Sequence, residues 1–200
     1  MKKMLALMLA LVMVFALAAC GQQKAPTLGG WTPVEDAKMT DDAQSAFDKA
    51  MDGLIGVNYI PVALIGRQIV SGTNYCILCE ATVVYPDARP YYALVYLYQD
   101  LQGKAEVTNI VKLDLGDIAE SGEIKAAEDA GEVLVGGWTV DRESSVDVKG
   151  ALVHLASQIV SGKNHCVLCE GNELVFVYEN LEGKTEVTQR VAIDLGAFNQ

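Results

Sequence analysis

The sequence predicts an α+β fold: one helix on a four-stranded antiparallel sheet, followed by a second four-stranded repeat without a helix. Three observations lead there. Gln68-Ile69-Val70-Ser71-Gly72-Thr73-Asn74-Tyr75 returns as Gln158-Ile159-Val160-Ser161-Gly162-Lys163-Asn164-His165, and residues 68–80 and 158–170 agree at ten of thirteen positions. Residues 94–116 and 174–196 agree at thirteen of twenty-three, and Gly29-Gly30-Trp31 recurs as Gly136-Gly137-Trp138. Self-similarity of this extent marks a duplicated unit. Third, Trp31 to Gln68 covers 37 positions but Trp138 to Gln158 only 20, so seventeen residues are missing where unit one has its helical pattern.

Unit one reads as a helix and then four strands. Thr40 is a suitable N-cap, and Asp41 and Asp42 fall in the first turn, where the helix dipole favours acids. Ala43, Phe47, Ala50, Met51 and Leu54 recur at helical spacing, and Gly53 and Gly56 end the pattern. Val62–Val70 and Asn74–Tyr85 form a hairpin over Ser71-Gly72. Tyr91–Gln99 and Ala105–Leu115 form a second hairpin over Asp100-Leu101-Gln102-Gly103-Lys104. In unit two the apolar face of a bare sheet needs a cover, so it is expected to pack on the linker, on unit one or on another molecule.

The boundaries follow: 1–19 a leader, 20–27 a tether, 28–116 unit one, 117–135 an acidic linker with a short helix near Glu123–Asp129, and 136–200 unit two. Lys2 and Lys3 precede an apolar stretch from Met4 to Ala19, and Leu17-Ala18-Ala19-Cys20 resembles a bacterial lipobox. That resemblance implies lipidation of Cys20 and an extracytoplasmic protein anchored to the cell membrane, or to an outer membrane if the host has one. Ten residues from Cys20 to Gly30 reach at most about 35 Å, which holds the start of unit one near the lipid. The formal charge is −11, or −13 without the two lysines of the leader. Such a surface repels phosphate backbones, so nucleic-acid partners are not expected.

The wording Q-x-V-x-G-T-N-Y of Gln68–Tyr75 resembles the first inhibitory hairpin of the cystatins, which plug the active-site cleft of papain-like cysteine proteases. Gly29-Gly30-Trp31 is similar to the glycine-containing trunk of that family, most like the Gly-Gly-Trp of its plant members. The resemblance implies a wedge built from the trunk (Gly29, Gly30, Trp31), the tip (Gln68, Ile69, Val70, Ser71, Gly72) and a second loop (Leu101, Gln102, Gly103). The duplicate tip is Gln158, Ile159, Val160, Ser161 and Gly162. Two departures stand out. The second loops, Leu101-Gln102-Gly103-Lys104 and Leu181-Glu182-Gly183-Lys184, have no Pro-Trp pair, and the Cys-x-x-Cys pairs are not a family feature. Unit one, with its helix, is expected to carry the working edge. The copy at Gln158–Gly162 is expected to be a retained hairpin whose sheet serves for packing or for a partner.

The remaining candidates are weaker. Cys76 and Cys79, and Cys166 and Cys169, lie three apart on strands, so on a regular strand the members of each pair point to opposite faces and can neither bond to each other nor share a metal without a bulge. No helix follows to lower a thiol pKa. Export favours disulfides, and the sterically simplest join the units, Cys76 with Cys166 or Cys79 with Cys169. Four buried unpaired thiols are the alternative. His154 and His165 are isolated in sequence and read as structural. No phosphate loop, triad or metal-ligand helix is legible, so no catalytic residue, metal or cofactor is expected. The expected function is inhibition of a papain-like cysteine protease at a membrane surface. A non-inhibitory cell-surface binding or adhesion module is the alternative.

Overall fold

The computed structural model describes residues 29–125 and 137–198. The expectations for the leader, Cys20, the tether, Gly136 and residues 126–129 of the linker lie outside these residues. The fold is mostly β: two five-stranded antiparallel sheets and two short helices. In unit one they are β1 (Trp31–Pro33), α1 (Asp41–Met51), β2 (Val57–Val70), β3 (Gly72–Val83), β4 (Tyr91–Gln99) and β5 (Ala105–Leu113), and α2 (Leu115–Ser121) follows. Unit two holds β6 (Thr139–Val140), β7 (Ala151–Val160), β8 (Gly162–Cys169), β9 (Glu173–Glu179) and β10 (Thr185–Ala192). The sheet orders are β1-β2-β3-β4-β5 and β10-β9-β8-β7-β6.

Each sheet has one strand more than the sequence predicts, and in both cases the trunk supplies it. Trp31 pairs with Gln68 and Pro33 with Gly66, while Thr139 pairs with Ser157. Both copies also carry irregular register at matching places, Pro61/Ala63 and Leu64/Gly66 in β2 and Ala151/Val153 and His154/Ala156 in β7. Each such step bends the strand and re-aims the side chains beyond it.

Helix α1 begins as expected, with the Thr40 hydroxyl accepting from the Ala43 amide at 3.2 Å. Its buried residues are Ala43, Ala46, Phe47 and Ala50, and they cover Leu64, Tyr75, Ile77, Val95 and Leu97. Three alanines let the helix axis approach the sheet closely, and Phe47 fills the remaining space. Leu54 lies beyond the helix and is exposed. The sequence places a helix near Glu123–Asp129, but in the described residues the helix forms earlier. The Asp114 carboxylate caps α2 by accepting from the amides of Gly116 and Asp117.

The opposite face of unit one's sheet packs against the sheet of unit two. Ile65, Leu78, Leu94, Tyr96, Val111 and Leu113 share one core with Leu155, Cys166, Leu168, Leu174, Phe176 and Val191, closed by Leu115 and Ile118 of α2. The apolar face of unit two is therefore covered by unit one, which removes it from water. Direct bonds cross the interface: Tyr92 Oη donates to the Leu155 carbonyl at 2.8 Å, and Asn172 Nδ2 to the Ile65 carbonyl at 2.9 Å. A Cβ at Gly66 would lie 2.4 Å from Leu195 Cδ1, so any side chain there would have to displace Leu195.

The two sheets run head to tail across this core. Asn172 and Leu195, at the end of unit two remote from its first hairpin tip, sit against Ile65 and Gly66 near the tip of unit one. Gly116, Ala119 and Glu120, at the remote end of unit one, line a cavity with Trp138, Gln158 and Asn164 near the tip of unit two. The tips of the two units thus lie at opposite ends of the sandwich.

Candidate functional site

At the tip end of unit one three segments meet. The register pairs Val70 with Gly72 and Thr73 with Gln99, so the β2–β3 tip and the β4–β5 loop leave the sheet at the same end. The trunk joins them, because the Gly29 amide donates to the Ile69 carbonyl at 3.2 Å. Gln68 ties the parts together: Nε2 donates to the Gly29 carbonyl at 3.0 Å, and Oε1 accepts from Asn74 Nδ2 at 2.7 Å. Val70 and Ser71 are exposed, and Tyr98 Oη donates to the Ser71 carbonyl. Gly72 has φ of 130°, and a Cβ there would lie 2.3 Å from the Gln99 carbonyl oxygen. The second loop is set by Asp100, whose carboxylate accepts from the amides of Gln102 and Lys104, both at 2.9 Å, leaving Leu101 and Gln102 exposed.

Two of the predicted wedge residues have internal roles. Trp31 does not face outward: its ring meets Tyr96 edge to face at 5.8 Å and packs on the shared core. It anchors the trunk strand. Gln68 likewise serves as a strut between hairpin and trunk. The outward residues are Gly29, Val70, Ser71, Leu101 and Gln102, with Gly30, Ile69 and Gly103 half-buried.

Unit two repeats this geometry. Asn164 Nδ2 donates to Gln158 Oε1 at 2.7 Å, and Tyr178 Oη donates to the Ser161 carbonyl. Trp138 meets Phe176 edge to face at 5.6 Å. Gly162 has φ of 125°, with a Cβ again 2.3 Å from a carbonyl, that of Glu179. Ile159, Val160, Ser161, Leu181, Glu182 and Gly183 are exposed. Beside this tip an open cleft of about 650 Å³ is lined by Gly137, Asp141, Ser157 and Ile159, and by Glu80 and Arg142, which form an ion pair at 3.2 Å between the units.

The outer face of unit two carries a polar cluster that the sequence does not announce. His154 stands where unit one has Leu64, and His165 where it has Tyr75, both beneath α1. With no helix in unit two among the described residues, the segment from Asp141 to Val148 covers this face, and Val148 packs on Val167, Cys169, Val175 and Val177. His154 Nδ1 meets the Asp141 carbonyl, His154 Nε2 meets His165 Nδ1 at 2.9 Å, and His165 Nε2 meets Glu179 Oε2 at 2.9 Å. The Asp141 carbonyl can only accept, so His154 Nδ1 is the donor to it and His154 Nε2 is left as the acceptor facing His165. Burial pushes the His154 imidazole below its ordinary value.

The Asp141 carboxylate accepts from the Ser144 hydroxyl at 2.5 Å, the Ser157 hydroxyl at 2.9 Å and the Lys163 ammonium at 3.3 Å. The hydrogen bonds from Ser144 above all, then those from Ser157 and Lys163, hold it far below the usual carboxylate range against the opposing effect of burial. Lys163 Nζ also donates to Ser144 Oγ at 2.7 Å. The cluster acts as a polar brace under the β7–β8 hairpin. A hint of it was available in sequence: histidine replaces an apolar residue and a tyrosine at two helix-facing positions of the unit that has lost its helix.

The four cysteines are free and buried, and the disulfides suggested by export do not form. Cys76 and Cys166 lie in the shared core, Cys79 under α1, and Cys169 on the outer face of unit two. Cys79 and Cys169 are on opposite outer faces of the sandwich and cannot meet. Burial pushes the Cys76 thiol up to about 12 and raises the other three. Among the described residues no group of three or more His, Cys, Asp or Glu is placed to hold a metal ion, and no helix is long and apolar enough to cross a membrane. No protein-family model, curated protein or solved structure matches this chain.

Proposed function

We propose that this chain is a membrane-tethered, extracytoplasmic inhibitor of papain-like cysteine proteases, held at the lipid surface through Cys20. The observation that carries the reading is the convergence of Gly29-Gly30, Val70-Ser71 and Leu101-Gln102 at one end of unit one's sheet. The succession of trunk strand, helix and four-stranded meander supports a cystatin-like arrangement of unit one.

A protease groove binds extended backbone and buries apolar side chains. Glycines at 29 and 30 let the trunk approach another backbone closely. Val70 and Leu101 offer the apolar surface; full burial of an exposed side chain of this kind contributes about 1.5–3 kcal/mol, of which Leu101 has most still to gain and Val70 less than half. The Gln68 strut and the Tyr98 bond to Ser71 fix the wedge before any partner arrives, so little conformational entropy is lost on binding. The hydrogen-bonded hairpin also offers no slack segment for a protease to draw through its catalytic centre.

The test is a titration of papain with the full-length chain in detergent, following hydrolysis of a small peptide substrate. The expected result is tight-binding inhibition below micromolar concentration, weakened at least tenfold by Val70→Asp. Full papain activity at micromolar inhibitor would reject the reading in favour of a non-inhibitory surface module.

A further inference from the structure

We infer that unit two carries a second, independent wedge, and that one chain holds two protease molecules at once, one at each end of the sandwich. This rests on the inhibitory reading of unit one and extends it to the half of the chain whose sequence argues against competence.

The first support is that the two tip ends are stereochemically alike while what lies behind them differs. Gly72 and Gly162 share the same backbone conformation, with φ of 130° and 125°. The Asn–Gln bond recurs at 2.7 Å in both units, and the tyrosine bond to the tip serine also recurs. The loop geometry is repeated as well: Asp100 accepts from the amides of Gln102 and Lys104, and the Asn180 side chain accepts from those of Glu182 and Lys184. Behind the first tip stands α1, and behind the second stands the Asp141–Lys163 and His154–His165–Glu179 brace. Helix and brace are different devices that hold the same hairpin.

The second support is exposure. Val70 and Leu101 are 42% and 77% exposed, and their counterparts Val160 and Leu181 are 45% and 87% exposed. Ile159 is more open still than Val160, at 77%. Ile159 and Leu181 are so exposed that they contribute little to the core of unit two, and folding does not account for apolar residues at these two positions. The surfaces at 69–72 and 101–104 match those at 159–162 and 181–184 residue for residue, except that Gln102 becomes Glu182. The same tip and loop sequence, held by the same Asn–Gln and tyrosine–serine bonds, fits the same class of groove.

The third support is placement. The sheets run head to tail, so the tips point away from each other and are separated by roughly a strand length, about 30 Å for a strand such as β7. A protease seated on one tip leaves the other open.

Calorimetric titration separates the possibilities. The probe is papain whose active-site thiol is capped with a methylthio group, added to the full-length chain in detergent. Two papain molecules per chain are expected, falling to one in Val70→Asp, one in Val160→Asp and none in the double variant. These positions are exposed, and an unchanged thermal midpoint confirms that the fold is intact. Leu181→Asp gives an independent probe of the second tip should Val160→Asp fold poorly. One papain per chain, abolished by Val70→Asp and untouched by Val160→Asp and Leu181→Asp, overturns the second wedge and leaves the inhibitory reading standing. No papain bound overturns both. Two papain molecules insensitive to these substitutions place binding elsewhere and also overturn the inference.

Discussion

The side-chain amide of Gln68 donates to the carbonyl oxygen of Gly29 at 3.0 Å, clamping the trunk to the first hairpin. The same side chain accepts from Asn74, so one residue sets the distance between two of the three segments at this end. Gln68→Ala removes both bonds, each worth about 0.5–1.5 kcal/mol net. Amide hydrogen exchange at Gly29 should accelerate roughly fivefold or more, with little change in the exchange of β3 and β4. Unchanged protection at Gly29 would show that the backbone bond to Ile69 suffices alone.

Gly66 leaves room for Leu195 of the other unit. Gly66→Val should destabilise the whole molecule by about 1–3 kcal/mol, because the new side chain occupies the space of Leu195. The double variant with Leu195→Ala should recover part of that loss. Urea unfolding measures both, and a single transition reporting from both units is expected, because their inner faces share one core.

Acid should weaken the whole fold through the polar cluster of unit two. The folded-state pKa of His154 lies below its ordinary value near 6.5, so the unfolded chain binds more protons. The stabilising contribution is present above about pH 6.5 and is lost as the pH falls below it. Burial is the main cause, and a proton on His154 Nε2 would also face the ring of His165. Asp141 is likewise depressed and adds a second loss below about pH 4. Urea midpoints between pH 7.5 and 5 should fall, and His154→Leu, which restores the residue of unit one, should flatten that fall. An equal slope in the variant would count against His154 as the titrating group.

The thiols of Cys76, Cys79, Cys166 and Cys169 should be inert in the folded protein. All four are buried, and burial raises each thiol above its ordinary value, leaving little thiolate at neutral pH. An aromatic disulfide reagent should label none of them natively and all four in denaturant. Native labelling at Cys169, the least desolvated, would show that the Asp141–Val148 segment opens.

The parts legible in sequence were those whose signal is local. The duplicated hairpin gave the strands, and the Thr40 cap with its alanine and Phe47 spacing gave α1. The trunk strands β1 and β6 escaped because three and two residues are too short for any periodicity to register. The segment after Asp114 read as linker because its apolar residues, Leu115 and Ile118, gain meaning only against the second sheet. The brace of unit two escaped because Asp141, His154, His165 and Glu179 come from separate segments and meet only where the helix is missing. Trp31 shows the reverse error: a motif residue read as contact surface turned out to be an internal anchor.

The sheet-on-sheet core also imposes an order on the life of each molecule. A ribosome delivers unit one first, complete to Leu113, while Ile65, Leu78, Leu94 and Tyr96 still await the residues that will shield them. Gly66 gains its cover only when Leu195 has been made. Until the strands of unit two have been made, the newborn chain presents one wet apolar sheet face, the kind of surface that associates with its neighbours. Early termination anywhere in β8 to β10 should therefore yield not a working half-molecule but an aggregating one.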